Sequence, residues 1–378
     1  MARYFNYRFH VIEGSWQRRE FVGRWRQIYQ SDDRWCPPYV PDFVAALPPT
    51  RHAHLARMDP ILLYGEALPQ RRQPRSPQKN DLPAFSGALF EESVVAGILL
   101  RDPRRRDGTA YISDLHLAND EESLARFLAQ AQEMLQPQGV RRVILPTGLS
   151  PHLSSGVLQD HFHRLPPLHS AYNPPYVPEI AALVCRPRGR ALLYEIEVPA
   201  RVDDPQNGAA KIESFDPHRL RGDLLPLLAQ TMPLWADFPA PDADEAGFLL
   251  DWLGRFPLHG RLATMDGEPV GYVLVQPDLA AALRTADGGR MPWWRFWLRW
   301  RAQRPVDSGR LLFGGVLPSW RRRGIGGQLW RAAQQTAIDA GWRTMLIGPM
   351  PSTAEGNPFL EAQGLAPQRT YLLHSYDF

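Results

Sequence analysis

The chain has 378 residues, 44% hydrophobic and 22% charged, and a formal net charge of +3. This composition reads as globular, and the length exceeds what one hydrophobic core usually supports, so two domains are expected. The mild charge speaks against a duplex-DNA-binding protein, which clusters basic residues on one face, and leaves small-molecule chemistry as the expectation.

In chain order, Phe5 to Ile12 is strand-like, and a helix after Ser15 carries Phe21, Trp25, Ile28 and Tyr29 at helical spacing. Gln70 to Pro83 is polar and rich in Arg, Gln and Pro, as loops are. Strands are predicted at Phe85 to Phe90, Val94 to Leu100 and Tyr111 to Leu117, with a turn at Glu91-Glu92-Ser93. A helix from Asp120 to Gln136 and a strand from Val140 to Leu145 follow.

Arg201 to Asn207, with Asp203-Asp204-Pro205, reads as a linker, and a boundary near Ala200 divides the chain into 1–200 and 207–378. The second part opens with a strand over Lys211 to Phe215 and a helix over Arg219 to Met232. Another helix, capped by Asp242 or Asp244, runs through Phe256. Arg261 to Met265 and Pro269 to Val275 flank Asp266-Gly267, a dipeptide suited to a tight hairpin turn. Leu311 to Leu317 is the next strand, and a helix starting near Gly326 ends at Gly341. Strands at Met345 to Ile347 and Thr370 to Ser375 enclose a short helix over Thr353 to Gln363. The two parts follow one order of elements, so one fold is used twice.

The most informative segment is Val316 to Leu329, where a strand, a glycine-rich turn and a helix start meet. Gly324, Gly326 and Gly327 allow a tight turn whose N–H groups face one point, and the helix adds its unpaired amides and positive dipole end. Such an arrangement binds a pyrophosphate. The matching stretch of the first part, Ala118-Asn119-Asp120-Glu121-Glu122-Ser123, has no glycine and three acids, which would repel one.

The segment resembles the acyl-CoA-binding motif of the GNAT acetyltransferase superfamily, whose Arg/Gln-x-x-Gly-x-Gly/Ala pattern is met by Arg321, Gly324 and Gly326. More widely, the chain resembles uncharacterised bacterial tandem GNAT-like proteins with a degenerate first copy. The supporting residues are Tyr29, Trp35-Cys36-Pro37-Pro38 and Tyr172 to Tyr176 in the first part. In the second they are Pro277-Asp278-Leu279, Pro292-Trp293-Trp294 and Gly315 to Gly327. Mycothiol synthase offers an analogy for tandem copies of which one is degenerate. The resemblance implies an α/β fold of two GNAT-like (acyl-CoA N-acyltransferase) domains, each a mixed, mostly antiparallel sheet flanked by helices. It also implies acetyl-CoA, or another acyl-CoA, as cofactor.

On that resemblance, the cofactor is held by Gly315, Val316, Leu317, Arg321, Arg322, Arg323, Gly324, Ile325, Gly326, Gly327 and Asn357. A backbone N–H near Val316 or Leu317 would face the thioester oxygen. The expected reaction is direct transfer of an acyl group to a small-molecule or peptide amine, which must first lose a proton. Asp278 is the candidate base, with a helix-cap role as the alternative. Many GNAT enzymes carry a tyrosine acid where this chain has Leu360, so the usual proton route is in doubt. The competing expectation is a non-catalytic acyl-CoA-binding sensor or interaction module.

Cys36 and Cys185 lie far apart with no metal-ligand spacing, and His161-Phe162-His163 has no second pair, so no metal is expected. Met1 to His10 lacks an apolar run and no stretch approaches the roughly 20 apolar residues of a membrane span, so a cytoplasmic protein is expected. The insertion Pro277 to Pro305 interleaves tryptophans with arginines over Trp293 to Arg301. Core packing is the expectation there, and peripheral contact with a membrane, or cover for an apolar acceptor, the alternative.

Overall fold

The computed structural model describes residues 4–12, 14–30, 32–47, 52–69, 92–215, 220–235 and 237–378. The first part gives β1 (Tyr4–Ile12), α1 (Ser15–Ile28), α2 (Val40–Ala46), α3 (Ala53–Met58), β2 (Ile61–Pro69) and β3 (Glu92–Leu100). It continues with β4 (Thr109–Leu117), α4 (Ser123–Leu135), β5 (Arg142–Thr147), β6 (Val157–Leu158), α5 (Val177–Val184) and β7 (Arg186–Glu197). The second part gives β8 (Lys211–Ser214), α6 (Leu220–Thr231), α7 (Ala243–Leu253), β9 (His259–Met265), β10 (Glu268–Pro277), α8 (Ala280–Thr285) and α9 (Pro292–Ala302). It ends with β11 (Ser308–Val316), α10 (Ile325–Asp339), β12 (Thr344–Pro351), α11 (Gly356–Ala362) and β13 (Pro367–Asp377).

These strands form one mixed sheet in the order β1-β2-β3-β4-β5-β13-β7-β12-β11-β10-β9-β8, with β6 beside β13. Among the described residues only β4 with β5 and β11 with β12 run parallel. The repeated order is therefore real: four antiparallel strands, then a helix crossing to a parallel fifth. The hairpin turn lies at Asp266 (φ 52°) and Gly267 (φ 85°), the two left-handed residues that match the twist of paired strands.

The last strand of each part is exchanged. β7 pairs with β12 of the second part, Thr344 opposite Glu197 and Ile347 opposite Tyr194. β13 pairs with β5 of the first, His374 opposite Leu145. β7 and β13 pair with each other at the centre, Tyr371 opposite Ala191. Each part thus completes the sheet of the other.

Packing follows the same plan. One apolar cluster joins both parts, bringing Trp25 and Phe43 together with Leu224, Phe248 and Leu249. A second lies under α8, α9 and α10, and a third under α4 and α5. Polar contacts cross the boundary too. Arg104 in the β3–β4 turn lies 3.2 Å from Asp242, whose other oxygen caps α7 at the Glu245 N–H.

Several elements differ from expectation. Glu92 and Ser93, expected in a turn, open β3, where the Ser93 hydroxyl donates to Gln27. The strand predicted over Phe85 to Phe90 and the loop over Gln70 to Pro83 lie outside the described residues. α4 starts at Ser123, three residues after Asp120, whose carboxylate accepts from the Tyr7 hydroxyl and from the Glu122 and Ser123 N–H groups ahead of the helix. β2, α2, α3, α5 and β7 carry no expectation from local pattern.

Candidate functional site

Strands β11 and β12 start together and then part. Their pairing runs from Ser308 with Thr344 to Leu311 with Ile347, and ends there. An extra residue at Leu312 bulges β11 against β10, whose register shifts between Leu274 and Val275. Beyond the bulge, β11 pairs among the described residues with β10 alone, which leaves its far edge open from Phe313 to Val316.

Alternation decides which groups that edge offers. The Leu317 N–H is already given to the Val270 carbonyl, 2.9 Å away. Val316, one residue earlier, therefore turns its N–H and carbonyl away from β10 and toward the open edge. Its carbonyl accepts from Arg321 Nε at 3.0 Å. Of the two amides expected near the thioester, Val316 is the one the sheet leaves available.

The turn after β11 is built by two left-handed residues, Arg322 (φ 61°) and Gly324 (φ 80°). They wind successive amides toward one side, and α10 begins at the next residue. Among the described residues the N–H groups from Arg322 to Gly327 have no hydrogen-bond partner. The first helical bond of this end is from Gln328 N–H to the Gly324 carbonyl, 3.1 Å. A Cβ built at Gly324 or Gly326 meets nothing within 4 Å, so the cradle faces open space.

The side chains divide the work. Arg321 is committed to Val316 and to Glu355, 2.6 Å away. Arg323 stacks over Trp320 at 4.6 Å, and Arg322 and Arg323 are exposed. These two are the cations left for a phosphate. Ile325 is buried, and Gln328 anchors the helix by accepting from Ala210 N–H and donating to the Ala210 and Pro205 carbonyls. Gly315 lies against Thr231, whose side chain would sit 2.5 Å from a Cβ placed there. That approach lets α6 cover β11 closely; neither Gln328 nor Thr231 stood out in the sequence.

Two expected site residues are placed otherwise. Asp278 follows Pro277, which pairs with Gly309, seven residues along β11 from Val316 and on the order of 20 Å away. Its buried Oδ1 accepts from the Leu168 and Ala280 N–H groups, both 3.0 Å. Burial raises its carboxyl pKa, while those bonds and the charges of Arg310 and Arg369 oppose the rise. Asp278 is a cap and a counter-charge, and distance removes it as the base for chemistry at Val316. Asn357 is buried with every side-chain polar atom engaged: Tyr194 hydroxyl donates to its oxygen, and its nitrogen donates to Pro351 and Ala354. It braces α11 and does not face the open edge. Leu360 is buried in the apolar cluster beneath α10.

The core packing expected of the Trp/Arg insertion is found on one face of its helix. In α9, Leu298 is buried and Trp294 and Trp297 pack on the cluster below, while Trp293, Phe296 and Trp300 are 60%, 71% and 52% exposed. Among the described residues no three His, Cys, Asp or Glu side chains gather as a metal site, and no helix is long and apolar enough to cross a membrane.

Residues 227–364 match the Acetyltransferase (GNAT) family, a span that holds the β11 edge, the glycine turn and α11. No curated protein matches the chain in sequence. Among solved structures, a tandem GNAT protein from the clavulanic acid biosynthesis pathway is similar at 13% identity. The likeness covers 98% of each chain with a TM-score of 0.57. A GCN5-related N-acetyltransferase from Sphaerobacter thermophilus is similar at 12% identity, over 98% of this chain and 95% of that one, TM-score 0.51. A probable N-acyltransferase from Enterococcus faecalis V583 is similar at 7% identity, over 98% and 72%, TM-score 0.52. Family match and fold agree: residues 227–364, within the second part, match the GNAT family, and the chain as a whole has the fold of a tandem GNAT protein.

Proposed function

We propose that the second part transfers an acetyl or other acyl group from acyl-CoA to an amine by direct attack. The observation that carries this reading is the run of unpartnered amides from Arg322 to Gly327 at the head of α10, beside the open edge of β11. Acyl-CoA supplies an activated thioester and a pyrophosphate. The amides and the exposed Arg322 and Arg323 suit the pyrophosphate, and the open edge suits the amides of an extended arm. Val316 N–H is the donor for the oxyanion.

Proton handling is left to solvent in this proposal. Leu311 to Leu317 carries no acid or histidine, and the nearby Tyr272 phenol is pushed by burial above its usual range, which makes it a poor base. An amine would be deprotonated by water before attack, and a thiol of pKa about 8.5 leaves without an acid. A cytoplasmic setting belongs to the same proposal, in keeping with the free thiols of Cys36 and Cys185.

One set of observations favours a second reading, an acyl-CoA-binding module without turnover: Leu360 replaces the tyrosine, and Asp278 and Asn357 are committed elsewhere. Calorimetric titration of acetyl-CoA into the protein and into Gly326→Glu tests the shared part. The glutamate enters open space, so the variant folds, and its charge opposes the pyrophosphate. Binding to the parent alone supports the site, and absence of binding to the parent overturns both readings. Release of CoA thiol in the presence of an amine panel then separates transferase from module.

A further inference from the structure

In the first part the corresponding strands also separate, but not onto a glycine turn. After Ser113 pairs with Thr147, β4 and β5 part around a cavity of about 180 Å³. Trp25 and Phe43 line it from the first part, Trp252 and Phe256 from the second, so neither part makes it alone. An apolar cavity of about 150 Å³ holds benzene. This one has room for a single ring with a short substituent.

Its polar groups are aimed by a bulge. β4 has one residue more than β3 between Ser113 and His116, and Asp114 takes a left-handed conformation there, φ 48°. Asp114 and His116 both line the cavity. The His116 ring stacks on Trp25 at 4.2 Å, and neither of its ring nitrogens has a partner among the described residues. Thr147 Oγ1 and Trp25 Nε1 also lack partners, although these residues are only 4% and 1% exposed. Native interiors leave few such groups unpaired.

Charge narrows the choice of ligand. Arg255 is the cation among the lining residues, and it is paired with Asp42, which also lines the cavity, at 3.1 Å. Burial pushes the His116 imidazole down to about 3 and the His169 imidazole to about 3, so neither supplies positive charge at neutral pH. The carboxylate of Asp114 receives the Ser113 hydroxyl and, among the described residues, faces no cation of its own. A half-buried carboxylate in that position favours an ammonium over a neutral or anionic group.

We propose that this cavity binds a small primary amine carried on a single ring. The ammonium lies on Asp114, with His116 and Thr147 as further hydrogen-bonding groups, and the ring lies among Trp25, Phe43, Trp252 and Phe256. None of residues 311–327 lines the cavity, so the site is separate from the glycine turn and does not rest on acyl transfer.

Calorimetry with benzylamine, benzyl alcohol and benzoate tests the proposal on the full chain. Benzylamine should bind at least about tenfold tighter than benzyl alcohol, with benzoate weakest. Asp114→Asn should remove the preference for the amine over the alcohol, because asparagine tolerates the left-handed backbone while losing the charge. No saturable benzylamine binding, equal affinity for amine and alcohol, or an Asp114→Asn variant that keeps the preference would overturn it. Should that variant not fold, the three-ligand comparison on the parent decides.

Discussion

The Tyr194 hydroxyl on β7 donates to Asn357 Oδ1 on α11, 3.1 Å away across 163 residues of chain. The bond joins a strand that precedes the linker to a helix near the end of the chain. β7 is thus part of the second sheet in side chains as well as in backbone.

Cutting the chain at the linker should therefore fail. A fragment of residues 207–378 lacks β7 and leaves β12 and β13 with unpaired edges and the apolar site of Tyr194 open. It should show no cooperative melt by circular dichroism, whereas a fragment beginning before Arg186 should. A sharp transition in the shorter fragment would show that the exchange contributes little.

Asp278 distinguishes support from catalysis. Asp278→Ala removes the acceptor of two buried N–H groups and a counter-charge of Arg310 and Arg369, and should cost about 3–5 kcal/mol in urea unfolding. A general base would instead lower turnover at unchanged stability.

The two faces of α9 should respond differently. Leu298→Ala should cost about 2–4 kcal/mol, since the side chain is 2% exposed. Trp293→Ser and Phe296→Ser, at exposed positions, should stay within about 0.5 kcal/mol of the parent. Equal losses would mean that the aromatic face is covered in solution.

Asp114 should leave a signature in the pH dependence of stability. Burial raises its folded pKa from 3.8 to about 6, so between those values the folded state binds more protons than the unfolded one. This group's contribution then falls as pH rises through that window. Asp114→Asn should be more stable than the parent by about 2–3 kcal/mol at pH 7 and equal to it near pH 4. A constant difference across pH would rule out this origin.

Much of the site was legible because local rules produce it. Glycines in a turn, a proline after a strand and an apolar stripe on the following helix report conformations that few other residues adopt, and they led directly to Gly324 and α10. The same reasoning failed at β7, whose start Arg-Pro-Arg-Gly-Arg is exposed and carries two poor strand residues, Pro187 and Gly189. Its partners are set across the whole chain by where Tyr194 and Leu193 find a core. Asp278 misled for a related reason: Pro-Asp-Leu after a strand fits a cap and a base equally, and only the end of the strand on which it sits decides. Asp114 and His116 gave no signal, because a bulge that re-aims two side chains has no local pattern of its own.

The exchange of β7 and β13 also sets an order of events during synthesis. β5 is complete by Thr147, yet the strand that covers its edge begins at Pro367, roughly 220 residues later. At about 5–20 residues per second, that edge waits on the order of ten to forty seconds for β13 to be made. The first part can gather its helices early, but its sheet closes only once β13 has been made.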